Sequence, residues 1–142
     1  MSNFRDPSEK DICDYLNNKN FTILEHNKVI QVEHYKIEID IIAFDEKNQI
    51  LHFIEVKNWK ANPYIHPVIK EIYKRKNKLL LSSKIYLNNI INNIDEYHQK
   101  CEYKNFLCLL KTTSPWDLNI SFDLVWKKGE KIYHFKNILR ST

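Results

Sequence analysis

Two runs rich in β-branched residues, separated by a short polar turn, most constrain what this chain can fold into. The first run extends from Val29 to Phe44 and the second from Gln49 to Val56, with Asp45-Glu46-Lys47-Asn48 between them. Such runs on either side of a turn-like cluster predict a β-hairpin. Ile39, Ile41, Ile42 and Ala43 place apolar side chains on both faces of the strand in part, which is typical of a strand covered on both faces. The hairpin is therefore expected to lie in a sheet packed against helices.

Patterns on either side of this hairpin predict further elements. A first helix is expected to begin near Pro7-Ser8, and apolar spacing predicts a long amphipathic helix from Val68 to Leu87. Residues 21–24 resemble a strand, and residues 120–126 and 131–135 predict a second hairpin that turns at Gly129. The periodicity of the apolar segment 106–110 does not decide between a helix and a strand. This order of elements predicts a single α/β or α+β domain over residues 1–142.

Composition excludes several functional classes. The chain has a single glycine, so neither a P-loop nor a glycine-rich dinucleotide fingerprint can be present. Its three cysteines form no CxxC pair, which argues against a zinc site or a disulfide framework and favours a reducing cytoplasm. No signal pattern and no long apolar run is found, so a soluble protein that avoids membranes is expected. The net charge of +4 is only mildly basic.

Charged residues interrupt the two apolar strands of the hairpin. Glu38 and Asp40 lie two residues apart on the first strand, and Glu55 and Lys57 lie two apart on the second. Side chains alternate between the faces of a strand, so each pair is expected on one face. Folding at residues 45–48 then brings Asp40 and Glu55 together, with Lys57 further along.

Carboxylates on an apolar sheet need a partner, because an unpaired buried charge costs several kcal/mol. A divalent cation would offset the repulsion between them, and hard oxygen ligands without histidine or cysteine suit Mg²⁺. An ammonium group beside the cation could orient the attacking water and stabilise transition-state charge. The spacing of Asp40, Glu55 and Lys57 therefore fits metal-assisted phosphodiester hydrolysis.

An alternative is that the same carboxylates form cross-strand ion pairs with lysines on an exposed sheet face. The chain has 22 lysine and arginine residues, so such pairs are easily found. The apolar character of residues 38–43 and 50–56 favours the metal site. The pattern by itself leaves both interpretations open.

The hairpin motifs also resemble those of a known family. Glu38-Ile39-Asp40-Ile41-Ile42-Ala43 followed by Phe53-Ile54-Glu55-Val56-Lys57 resembles the EIDLIA and FVEVK signature of the YraN-like (UPF0102) proteins. Residues 9–27, 122–125 and 132–134 resemble the opening and closing segments of that family, so the resemblance covers nearly the whole chain. The family looks like a branch of the PD-(D/E)XK nuclease superfamily and is similar to archaeal Holliday junction resolvases.

The resemblance implies a fold and a set of site residues. The fold is an α/β, restriction-endonuclease-like core with a central mixed β-sheet flanked by helices. Asp40 and Glu55 would be metal-binding carboxylates for Mg²⁺ or Mn²⁺, with the Val56 carbonyl as a further ligand. Lys57 would be the catalytic lysine, and Glu9 on the first helix an additional catalytic acid.

Some positions depart from the family pattern. Glu38 is the less certain carboxylate, and it would contact the metal ligands and not the metal itself. The glycine that precedes the Glu-Ile-Asp triplet in the family is Ile37 here. The stretch 27–38 is longer than in the family, which suggests an extended hairpin. The segment between Leu87 and Phe122 is longer by roughly an element.

Basic and aromatic residues after Lys57 are candidates for contact with nucleic acid. Lys74, Arg75 and Lys76 give the long helix a basic side that could contact phosphates. Trp59 could stack on an exposed base. The alternatives are a solvated helix face and ordinary packing of the tryptophan. The six histidines show no metal-ligand spacing, and His52 is expected to form a hydrogen bond within the fold.

Together these observations predict a metal-dependent endonuclease that hydrolyses phosphodiester bonds in branched or single-stranded DNA during recombination or repair. A homodimer would match two-fold substrates. The first alternative is a nucleic-acid-binding module that retains the nuclease fold without cleavage. The second is a structural adaptor whose carboxylates pair with lysines.

Overall fold

Five strands form one mixed sheet in the order β1-β2-β3-β4-β5 in the computed structural model, which describes residues 7–58, 60 and 63–139. Helix α1 precedes the sheet, and helices α2 to α5 lie between β3 and β4. The bounds are α1 Pro7–Asn18, β1 Phe21–Val32, β2 Tyr35–Asp45, β3 Ile50–Asn58, α2 Ile65–Lys74, α3 Lys76–Asn92, α4 Ile94–His98, α5 Lys104–Thr112, β4 Asn119–Lys128 and β5 Lys131–Phe135, with short 3₁₀ turns at Cys101–Tyr103 and Pro115–Asp117.

The strand pairing combines both directions. Strands β1, β2 and β3 form an antiparallel meander, β3 and β4 are parallel, and β4 and β5 form an antiparallel hairpin. A parallel pair needs a long crossover connection, which the four helices α2 to α5 supply. The predicted mixed sheet flanked by helices is confirmed, and the architecture is consistent with a restriction-endonuclease-like core.

The two faces of the sheet bury separate apolar cores. The larger core joins strand residues such as Phe53 to Leu79 and Tyr86 of α3 and Phe106 of α5. The smaller core packs α1 against the opposite face and includes Ile12, Leu16, Ile41, Ile54 and Val125. Coverage on both faces explains why the central strands are apolar at successive positions.

The first arm of the predicted hairpin is corrected by the structure. The run 29–44 was expected to be one strand, but it contains a turn at Glu33-His34, where Glu33 has a φ of 53°. Strands β1 and β2 therefore form a long hairpin of their own, in agreement with the extended hairpin suggested for residues 27–38. Turn formation by a glutamate in the left-handed region is not a recognisable sequence signal, so the β-branched run conceals it.

The predicted helix 68–87 is also corrected, because the chain forms two helices that meet at Arg75. Arg75 has φ −95° and ψ 13°, outside the regular helical values. Its N–H still donates to the Ile72 carbonyl over 3.0 Å, and its carbonyl accepts from the Leu79 N–H over 2.9 Å. The apolar spacing continues through this break, so periodicity could not reveal it.

The remaining elements agree with the sequence or complete it. The second hairpin forms from β4 and β5 and turns at Gly129, whose φ of 61° suits a glycine. The undecided segment 106–110 is helical and belongs to α5. The longer stretch before β4 holds α4, α5 and the two 3₁₀ turns. Across the ranges that the structure covers, we find no helix with both the length and the apolar character needed to cross a membrane.

Candidate functional site

The candidate site forms where β2 separates from β3. The two strands pair from Asp45↔Ile50 to Ile41↔Ile54, whereas β3 remains paired with β4 as far as Asn58. Asp40 and Glu55 are the next residues beyond the last pair, and their side chains are close enough for the two charges to interact. The sheet therefore opens at the position where the sequence predicted two carboxylates to meet.

The separation of the strands coincides with an irregularity in β1 and β2. The pairing of β1 with β2 shifts register between Ile23 and Glu25. Ile39 packs in the larger core and Ile41 in the smaller one, although strict alternation would place both on the same face. The strand thus rotates around Asp40, which allows β2 to follow β1 away from β3.

A backbone hydrogen bond orients Asp40. Its Oδ2 accepts from the Val56 N–H over 2.8 Å. The carboxylate thus replaces a backbone acceptor of β2, whose pairing with β3 has ended at Ile54. The N–H and C=O of one strand residue point toward the same neighbouring strand. The Val56 carbonyl, predicted as a further metal ligand, therefore faces the side on which Asp40 lies.

The Asp40 carboxyl group has an unusual acidity. Burial raises its pKa first, and repulsion from Glu55 raises it further, to about 7. The Val56 N–H and Lys57 lower the pKa in part, and Glu9 raises it slightly. In the absence of a cation, Asp40 is therefore partly protonated near neutral pH. A divalent cation between the two carboxylates would favour the charged form of both.

Two cationic side chains converge on Glu55, whose side chain is 19% exposed. The Lys57 Nζ lies 3.3 Å and an Arg75 guanidinium nitrogen 3.8 Å from the same oxygen, Oε1. Lys57 is on β3 and shares a face with Glu55, as alternation predicted. Arg75 arrives from the junction of α2 and α3, which the sequence did not associate with this carboxylate.

The other predicted acids occupy different environments. Glu9 lies in the first turn of α1 and is close enough to Asp40 to affect its pKa. Glu38 is half-buried and pairs with Val29 in the hairpin. A supporting role for Glu38 stays a prediction.

The three predicted basic residues, Lys74, Arg75 and Lys76, have different surroundings in the structure, and their role in contacting nucleic acid stays a prediction. Arg75 turns toward Glu55, whereas the Lys76 ammonium lies over the Tyr73 ring, 5.1 Å from its centroid. Lys74 is exposed at the end of α2. Trp59, predicted to stack on a base, lies outside the described residues. Of the three cations, only Arg75 is in contact with the carboxylate site.

The donor set at the strand opening suits a hard divalent cation. It offers two carboxylates and a carbonyl, with no sulfur or imidazole ligand among the predicted residues. Burial raises the pKa of Asp40 most and the charge of Glu55 raises it further, and a bound Mg²⁺ or Mn²⁺ would offset both effects. The residues therefore fit such an ion chemically. Lys57 stands beside them as the group able to hold or transfer a proton.

A second cluster of polar residues, which sequence analysis missed, is buried on the α1 side of the sheet. Oδ2 of Asp123 lies 2.6 Å from both the His52 Nδ1 and the His134 Nε2. Its Oδ1 accepts from the Ser121 hydroxyl and, over 3.0 Å, from the Asn137 N–H. Strand pairing joins residues distant in sequence, so spacing offered no signal. The expected internal hydrogen bond of His52 is confirmed.

In this cluster both oxygens of the buried Asp123 carboxylate have hydrogen-bond partners. The three ligand-type atoms lie within 4.8 Å of one another, a set that could in principle bind a metal. Burial alone would raise the pKa of Asp123, but hydrogen bonds from His134, His52 and Ser121 outweigh it and hold the pKa well below its usual range. Four donors already serve the two oxygens. We therefore assign the cluster to joining β3, β4 and β5.

Substitution Asp40→Asn is expected to change how stability depends on pH. Because the folded pKa of about 7 exceeds the ordinary 3.8, the folded state binds more protons than the unfolded state between these values. Wild-type stability therefore decreases as pH rises from 3.8 to about 7. The variant lacks this decrease and should be more stable than wild type in metal-free buffer at pH 8.

Urea unfolding below and above this pH range measures the difference in stability between wild type and Asp40→Asn. Asp14→Asn, on the exposed side of α1, is the control, and a steeper decrease for Asp40→Asn would contradict the assignment.

Substitution Asp123→Asn is expected to destabilise the fold by roughly 3–5 kcal/mol at pH 7, because it breaks a buried charged network. A lowered carboxyl pKa contributes stability above its ordinary value of about 4, and that contribution is lost as pH falls. The difference from wild type should therefore shrink in acid. Chemical unfolding at pH 7 and pH 3 measures it, with the exposed Asp117→Asn as control. Equal unfolding midpoints at pH 7 would contradict the structural role.

Comparison with known proteins identifies relatives of this chain. Residues 8–126 match the model of a family described as "Uncharacterised protein family UPF0102". A "UPF0102 protein" of Campylobacter lari is 38% identical to this chain over 104 residues, which cover 72% of this chain and 85% of the relative. The matched region includes Asp40, Glu55 and Lys57 as well as Asp123. The chain belongs to the UPF0102 family.

Proposed function

We propose that this protein is a Mg²⁺- or Mn²⁺-dependent endonuclease of the PD-(D/E)XK superfamily that hydrolyses phosphodiester bonds in DNA. One observation carries the proposal: Asp40 and Glu55 lie opposite each other at a strand opening, and the pKa of Asp40 is raised to about 7. A carboxyl group whose pKa is raised by burial and by a second carboxylate is typical of a functional site, including a cation site before it binds its ion. The motif resemblance to resolvase-like nucleases supports the same assignment.

Each residue has a role that its surroundings support. Asp40 is held in one orientation by the Val56 N–H, so it would present its second oxygen to the metal. Glu55 would contribute an oxygen from β3. A bound Mg²⁺ would supply Lewis acidity and lower the pKa of a coordinated water. Glu9, whose charge raises the pKa of Asp40, is proposed as an additional acid at the edge of the site.

Lys57 is the proposed catalytic lysine. Its ammonium group lies 3.3 Å from Glu55 and its side chain is 33% exposed, so it can reach a group entering from solvent. From this position it would orient the attacking water and stabilise the extra negative charge of the transition state. Neutralisation of Glu55 by a metal would release Lys57 from its ion pair.

The proposed substrate is branched or single-stranded DNA, by analogy with archaeal Holliday junction resolvases. The family resemblance supports this choice, and a homodimer would suit a two-fold junction. A cytoplasmic protein acting in recombination or repair is proposed on the same basis.

The alternative function is a nucleic-acid-binding module that retains the fold without cleavage. The pairing of Glu55 with Lys57 and Arg75 favours it, because a carboxylate with two cationic partners has less need of a metal. The counterargument is that the pKa of Asp40 remains raised to about 7 although Lys57 lowers it in part.

Metal titration and cleavage assays test the proposal. Wild-type protein is expected to bind Mn²⁺ by calorimetry and to cleave at least one of four substrates with Mg²⁺: plasmid, single-stranded, flap or four-way DNA. Asp40→Asn should lose Mn²⁺ binding, and Lys57→Ala should retain it while cleaving about a hundredfold more slowly.

The matched control is Lys84→Gln on the exposed side of α3, which removes a cation distant from the site and should leave cleavage unchanged. Equal Mn²⁺ binding by wild type and Asp40→Asn would refute the metal site. Metal binding without cleavage of any substrate would favour the binding module.

A further inference from the structure

An arginine occupies a core-facing position at the junction of α2 and α3. Val68, Ile72 and Leu79 are buried in the larger core, and their spacing marks the helix side that faces the sheet. Arg75 lies at i+3 from Ile72 and at i−4 from Leu79, so it continues the same stripe. An apolar residue is expected at such a position, which makes the charge there unusual.

The head of Arg75 reaches the carboxylate site from this position. Its guanidinium lies 3.8 Å from the Glu55 Oε1, and its side chain is 35% exposed. Its neighbours in the basic run behave differently, because Lys74 is exposed and Lys76 lies over the Tyr73 ring. The irregular φ and ψ at Arg75 end α2 at the point where this side chain extends inward.

A small cleft lies beside Arg75 and Lys57, the two cations that contact Glu55. Its volume is about 240 Å³, and its lining combines two cations, one carboxylate and apolar helix residues. The lining residues are Lys57, Pro67, Val68, Glu71, Ile72 and Arg75. Both cations of the lining now contact Glu55, and they would attract an anionic group if the charge of Glu55 were taken up by a metal. The guanidinium fork matches the oxygens of a phosphate through two parallel hydrogen bonds, which an ammonium cannot reproduce.

We infer that Arg75 binds the phosphate group that is hydrolysed at the Asp40–Glu55 site, an inference that rests on the proposed function. Glu55 Oε1 now interacts with both Arg75 and Lys57. If a metal took up the charge of Glu55, the guanidinium of Arg75, which lines the cleft, would be able to donate to an anionic group there. Arg75 then holds the scissile group and stabilises charge that develops on its oxygens. A lysine on the outer helix face contributes only general attraction to DNA.

The variants Arg75→Gln, Arg75→Lys and Lys84→Gln test this role in the cleavage assay with Mg²⁺. Arg75→Gln is expected to lower kcat about a hundredfold, as for other single transition-state donors, with little change in KM. Arg75→Lys should recover only part of this loss, because it keeps the charge but lacks the fork. Lys84→Gln should match wild type. Thermal unfolding confirms that each variant is folded, and Mn²⁺ binding should persist in all three.

Each outcome separates this inference from the proposed function. Wild-type cleavage with kcat unchanged in Arg75→Gln would overturn the role of Arg75 and leave the nuclease proposal intact. Full recovery by Arg75→Lys would show that charge suffices and would also overturn the phosphate fork. If Arg75→Gln changed the Mn²⁺ affinity but not kcat, Arg75 would act only as a counter-ion of Glu55, and its role in phosphate binding would be overturned. Wild-type protein that binds Mn²⁺ but cleaves nothing would overturn both proposals.

Discussion

The candidate site depends on a single constraint, which is that β3 keeps one neighbouring strand and loses the other. Its pairing with β4 continues to Asn58, whereas its pairing with β2 ends at Ile54. A backbone N–H that loses its strand partner inside a protein must find another acceptor. The Asp40 carboxylate provides it at Val56. Strand separation thus both opens the site and fixes the orientation of its first carboxylate.

Charge within the opening is only partly balanced. Lys57 and Arg75 both approach Glu55, so the positive charge is concentrated on one of the two carboxylates. Asp40 accepts a single backbone hydrogen bond and experiences repulsion from its neighbour. This asymmetry contrasts with Asp123 on the other face of the sheet, where four donors stabilise a buried carboxylate completely. The pKa of a buried aspartate is therefore lowered where several donors serve it, as at Asp123, and raised where burial and a second carboxylate outweigh its donors, as at Asp40.

Much of this arrangement follows from local sequence rules. Strand alternation predicts Glu55 and Lys57 on one face, and the turn at residues 46–49 brings Asp40 close to Glu55. Those rules do not predict where a continuous pattern is interrupted or which residues distant in sequence come into contact. The turn at Glu33 lies within a continuous β-branched run, and the break at Arg75 lies within a continuous apolar stripe. The Asp123 cluster joins three strands that are distant in sequence, so only the pairing of β3 with β4 and β5 reveals it.

The hairpin formed by β1 and β2 carries a residue whose influence extends beyond its own contacts. Asn27 has a φ of 52° and lies between the pairs His26↔Ile41 and Lys28↔Ile39, so it is opposite Asp40. Asparagine tolerates this left-handed conformation better than most residues, and β-branched residues tolerate it poorly. The backbone opposite Asp40 thus takes a conformation that depends on a residue of β1, a strand that contributes no predicted ligand. Substitution at residue 27 is therefore a route by which evolution could change the spacing of the two carboxylates without replacing either of them.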